Sequence, residues 1–272
     1  STNPLRAASE RFEVLLENLT AFKTLLARES AELVHVRTFA EYRAARETGR
    51  HAAFIGIQGG NACDGRADSV ESLPRLDVLR VTLVHLSNSS IGSSSAPPGS
   101  WAPRGLTDYG RRFIERLNAA RIFVDLAHIS PAGFWEALDA HDHRLPVIVT
   151  HTGVSGVHRH WRNLDDSQLR AIAATGGLSG IMVHAGYLGP GLFGARVEHV
   201  LQHIEHAVRV AGEDSVGIGS DFDGFIVPPR DLPSVIHYPR LIQAMLDRKM
   251  PESRIRKILG GNFLRVLREL RP

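Results

Sequence analysis

Residues 53–60 read AFIGIQGG, a short apolar run that ends in one polar residue and two glycines. Consecutive apolar residues suit a strand covered on both faces, and the glycine pair suits a tight turn straight after it. The same pattern recurs down the chain and gives strand candidates at 53–58, 79–85, 122–128, 147–151, 177–184 and 216–221. Helical stretches fall between them. Ser130 and Pro131 supply an N-cap and a first-turn proline for a helix over 131–140, and Thr107 or Asp108 caps one over 108–119. Apolar residues at helical spacing mark 164–174 and 197–211, the second closed by Gly212. A helix over 8–28 precedes them all. Two more, 238–249 and 252–270, close the chain, the last broken at Gly260 and Gly261.

Alternation of this kind predicts a parallel α/β fold. A dinucleotide-binding sheet would carry GxGxxG after its first strand, and that fingerprint is absent. Polar residues at the strand ends favour a (β/α)8 barrel of the TIM type, whose catalytic face is built from those ends. Six of the eight strands are visible, so the chain reads as a single barrel domain, 1–272, lacking its first strands. An upstream segment or a second polypeptide is expected to supply them. The segment AELVHVRT (31–38) is expected to form a short strand outside the barrel.

Bulk properties narrow the function classes. A chain of 272 residues, 43% hydrophobic and 22% charged, buries a sizeable core without cross-links. The lone Cys63 excludes an intrachain disulfide framework and reads as small buried filler. A net charge of +3, with arginines scattered and no basic run, argues against nucleic acid. No stretch approaches the roughly 20 apolar residues of a membrane span, and the first residues lack a signal-peptide core. The expected location is cytoplasmic, any upstream targeting segment aside, and a homodimer is compatible with the composition. The stretch SNSSIGSSSAPPGS (87–100) reads as a flexible loop.

The residues ending the six strand candidates are Gln58, His85, His128, His151, His184 and Asp221, of which four are histidines. A single histidine is more often a satisfied core or surface group than a ligand. Four on separate strands are harder to dismiss, because a barrel gathers strand ends around one axis. Neutral imidazole is the commonest zinc ligand, and an aspartate there suits a general base that takes a proton from water. His199, His203 and His206 lie at helical spacing but lack the glutamate of HExxH, and read as a polar helix face. The histidines of HDH (141–143) and HRH (158–160) lie in loops and read as solvated groups or as supports of a site rather than as ligands.

Four ordered motifs then narrow the field: VDLAHIS (124–130), VIVTHTGVSGVHRHWRNLDD (147–166), VGIGSDFDG (216–224) and GGNFLRVL (260–267). With GLTDYGRRFIERLN (105–118) and the 11-residue separation of His151 and Arg162, they resemble the renal, or membrane, dipeptidase family of zinc peptidases. The resemblance implies a (β/α)8 barrel, a binuclear zinc site and activity on small dipeptides, in some members those with a D-residue on the C-terminal side. It assigns His128 and His151 to one zinc and makes Asp221 the catalytic aspartate. His85 would steady the oxygen of the tetrahedral intermediate, and Arg162 would hold the substrate carboxylate. A guanidinium is the planar fork suited to a carboxylate, although an ion pair with Asp165 or Asp166 is the plainer use of Arg162.

Two departures qualify the resemblance. The family's other zinc uses a His-x-Asp pair on the first strand, which this chain does not contain, and the bridging glutamate is replaced by Gln58. An amide offers one neutral oxygen in place of a shared charge. The expectation is a zinc-dependent, dipeptidase-like hydrolase with an altered metal site, holding one zinc or none through His128, His151 and Gln58. Two alternatives are a non-catalytic barrel that binds a small peptidic ligand and a subunit completed by another polypeptide.

Overall fold

The computed structural model describes residues 6–64, 69–97 and 104–272. The chain divides into two compact units, Ser1–Leu145 with Leu267–Pro272, and Pro146–Val266. The first unit begins with the helix Ala8–Arg28, which buries Phe12, Leu15, Leu19 and Leu26. Strand β1 (Leu33–His35) pairs in parallel with β2 (His51–Ala53) in a two-stranded sheet of their own, as expected for AELVHVRT. The predicted strand 53–58 is therefore two elements: Ala53 ends β2, and β3 (Gly56–Gln58) starts a different sheet. Parallel to β3 run β4 (Arg80–Thr82) and β5 (Phe123–Asp125), in chain order.

The second unit repeats the scheme with β6 (Ile148–Thr152), β7 (Leu178–Ile181) and β8 (Val216–Ile218), again parallel and in chain order. Helices Asp166–Ala174 and Val197–Ala211 alternate with these strands. Thr107 and Ser130 accept from the backbone N–H of Gly110 and Gly133 and so fix the starts of the helices Asp108–Ala119 and Pro131–Ala140. A capping box of Asp165 and Gln168 starts the next helix at Asp166, two residues later than its apolar spacing suggested. The final helix is interrupted where expected, with Gly260 at φ 159°.

Strands β7 and β8 approach β6 more closely than side chains would permit. A Cβ at Gly180 would lie 2.2 Å from the Thr150 carbonyl oxygen, and one at Gly219 only 1.8 Å from it. No helix among the described residues is long and apolar enough to cross a membrane. Cys63 is 1% exposed, and burial pushes its thiol up to about 12, which leaves it inert filler.

Candidate active site

The strands are shorter than the sequence suggested, and this changes where the candidate residues sit. Only Gln58 and His151 lie within strands. His85, His128, His184 and Asp221 each fall three residues past one, in the loops after β4, β5, β7 and β8. At two of these positions the backbone turns left-handed, with φ of 68° at His128 and 61° at Asp221. Non-glycine residues rarely adopt that conformation, and such strain concentrates at functional positions.

In the first unit, the register puts Gln58, Thr82 and Asp125 side by side on one face of the sheet. Beyond the strand ends, the His85 and His128 rings meet edge to face at 4.5 Å between centroids. The serine-rich segment read as a flexible loop is instead packed beneath them. Ser93, Ser94 and Ser95 are buried. The Ser94 hydroxyl donates to the His85 carbonyl, and the Ser95 N–H donates to the His128 carbonyl at 2.7 Å. Residues 98–100 of that segment lie outside the described residues. Small side chains with many donors make good partners for carbonyls of a strained turn, and that is the signal the composition concealed.

In the second unit, Thr150 Oγ1 holds His151 Nδ1 at 2.9 Å and so orients the ring. Arg162 is 4% exposed and donates through Nη2 to the His151 carbonyl at 2.7 Å. Of the two aspartates nearby in sequence, Asp165 caps a helix and Asp166 accepts from His206 at 2.7 Å. The backbone N–H of Arg162 donates to His160 Nδ1. The His160 and Tyr187 rings meet tilted at 4.4 Å between centroids, and Tyr187 meets the His184 ring edge to face, also at 4.4 Å. Burial lowers His160 to about 4, reinforced by His158, Arg162 and His184, so it is neutral near pH 7. Burial also raises the Tyr187 phenol, with Arg162 opposing and Asp221 adding to the shift. Of the HRH histidines, His160 thus belongs to the surroundings of Arg162, in keeping with the reading of these loop residues as solvated or supporting groups.

The helix histidines also need correction. His203 and His206 are buried. His203 Nδ1 accepts from the Val154 N–H at 2.9 Å, and its Nε2–H donates to the Leu188 carbonyl at 3.1 Å. Val154 bridges to Leu164, so His203 braces the loop that carries Arg162. Burial is the main reason that its value falls to about 4, with the Leu188 bond opposing. The unfolded chain then takes up a proton near pH 6.5, well before the folded one does, so stability is lost as pH falls from 6.5 towards 4. His203 alone should lower the unfolding free energy at pH 5 by about 2 kcal/mol relative to pH 7. Urea titrations at the two pH values test this, and a midpoint shift that survives unchanged in His203→Gln would assign it elsewhere.

The profile of the membrane dipeptidase family, peptidase family M19, matches residues 2–271. The chain belongs to that family. Two solved relatives share 27% identity with it at a TM-score of 0.90. One is a metallopeptidase dipeptidase of M19, with 99% of this chain and 81% of that one covered. The other is a metallopeptidase from Rhodobacter sphaeroides bound to a phosphinate mimic of L-Ala-D-Ala, with coverage of 99% and 78%. An amidohydrolase from Pseudomonas aeruginosa shares 28% identity at a TM-score of 0.85, over 95% and 85% of the two chains. Membership makes this membrane-dipeptidase relative an α/β metallohydrolase of the barrel class.

At position 58 this M19 chain offers an amide and no carboxylate that could bridge two metals. Among the described residues, no three His, Cys, Asp or Glu side chains gather into a metal-holding group. Gln58 supplies no charge. A cation is also already in place, because Arg80 Nη1 donates to Thr82 Oγ1 at 2.6 Å and to Asp125 Oδ2 at 3.1 Å in the Gln58 row. A divalent ion about 5 Å from a lone guanidinium is repelled by ~7 kcal/mol at an effective dielectric of about 20, an amount that the Asp125 carboxylate paired with Arg80 at 3.1 Å reduces.

Proposed function

We propose that this chain hydrolyses the peptide bond of a small dipeptide and does so with a remodelled metal site that holds one zinc ion or none. The observation that carries the reading is the buried Arg162 guanidinium, fixed on the His151 carbonyl. A permanent charge placed so deep is suited to a free carboxylate, which a dipeptide presents and a longer internal peptide segment does not. Asp221, in its left-handed turn, takes the proton from the attacking water as the water oxygen bonds to the carbonyl carbon. His85 donates to the oxygen that becomes negative in the tetrahedral intermediate. The C–N bond then breaks, and the proton held by Asp221 passes to the leaving amine. His128, His151 and Gln58 are the proposed donors for any single zinc.

Support for a dipeptide comes from the M19 relative bound to a mimic of L-Ala-D-Ala at 27% identity. A second reading, a barrel that binds a peptidic ligand without cleaving it, is favoured by the neutral Gln58. The test is a panel of dipeptides, with and without a D-residue on the carboxylate side, each compared with its C-terminal amide. Incubation is with and without added zinc. Free dipeptides should be cleaved and amides left intact, with no more than one zinc retained per chain. Binding of free dipeptides without turnover would select the second reading, and equal cleavage of amides would overturn the role of Arg162.

A further inference from the structure

Gln58 and Arg80 line one cavity of about 560 Å³ in the first unit, together with Leu15, Leu19 and Phe22. Arg80 opposes Gly56 across β3 and β4, and Thr82 opposes Gln58. The guanidinium does not stay in its own row. It crosses the bare Gly56, where a Cβ would lie 2.6 Å from both Arg80 Cγ and Nε. From there it reaches Thr82 Oγ1 and Asp125 Oδ2 through Nη1, the same nitrogen that approaches the Ile57 carbonyl at 3.5 Å. Among the described residues, Nε and Nη2 make no hydrogen bond, and Arg80 lines the same cavity as Gln58. Diagonal neighbours on adjacent strands are within reach of long side chains.

We infer that Arg80 sets the metal capacity of the site: its guanidinium is a built-in cation that keeps position 58 from offering the carboxylate ligand a further metal would need. The inference deepens the remodelled-site reading. A carboxylate introduced at 58 would be captured by the open side of the guanidinium fork, because a charge-assisted pair to arginine is short and geometrically matched. An amide there is the residue that neither repels nor captures that cation. Freed of Arg80, a carboxylate at 58 would join the imidazoles of His85 and His128, which already meet at 4.5 Å between ring centroids in the same unit. Three such donors are the usual complement of a catalytic zinc.

The experiment is zinc content per chain after dialysis, measured on the parent chain, Gln58→Glu, Gln58→Glu with Arg80→Lys, and Gln58→Glu with Arg80→Gln. Cooperative melting confirms folding in each case. Zinc should rise by about one ion per chain only where Arg80→Gln removes the charge, and the lysine pair should match the parent. Uptake by Gln58→Glu alone, or by the lysine pair, overturns the inference even if the glutamine pair does not fold. A folded glutamine pair with no added zinc overturns it as well. Because the readout is metal content, failure of dipeptide cleavage leaves this result intact.

Discussion

Gly219→Ala is expected to destabilise the chain by about 3 kcal/mol or more, a large share of the 5–15 kcal/mol that holds an ordinary domain folded. The added methyl would sit 1.8 Å from the Thr150 carbonyl oxygen and 3.0 Å from that of Gly180. These are backbone atoms, so relief requires parting β6 from its neighbours. Gly217→Ala is the matched control two residues away. Its methyl would meet only the flexible end of Leu178 at 3.2 Å, and a change under about 1 kcal/mol is expected there. Urea unfolding of the two variants separates the cases. Equal stability would mean that the close approach at Thr150 is not needed.

Arg162→Lys should weaken binding of a free dipeptide, or of a phosphinate mimic of one, by about 100-fold, close to 3 kcal/mol. Lysine keeps the charge but loses the planar fork, and it cannot both hold the His151 carbonyl and face a carboxylate in the same way. Binding of the corresponding C-terminal amide should change by less than about threefold, since no carboxylate is there to lose. Calorimetric titration of both ligands decides it. A parallel loss for the amide would assign Arg162 to holding its loop, a task it shares with His203 through Val154.

Much of the architecture was legible because it rests on local chemistry. Caps at Thr107 and Ser130, the C-terminal Gly212 and the break at Gly260 each act over a few residues, and each stands where sequence spacing put it. Strand lengths were not legible. Apolar runs continue through 79–85 and 122–128, but pairing stops at Thr82 and Asp125, because the turns that follow take their hydrogen bonds from the serine segment instead. Nor could helical spacing reveal that His203 and His206 face inward. Histidine is neutral enough to be buried when both ring nitrogens find partners, and only the packed structure shows that they do.

Sequence alone determined the parallel α/β class, the family and the identities of the candidate residues, since motif order and strand–helix alternation survive in one dimension. It also posed the question of the amide at position 58. Tertiary structure decided what surrounds that amide. Arg80 lies 22 positions along the chain from Gln58, on a different strand, and its charge matters only because parallel pairing brings β4 beside β3 and a bare Gly56 lets the guanidinium cross. Electrostatic influence falls with distance in space, not along the chain, so no reading of local pattern could have placed that cation next to the amide.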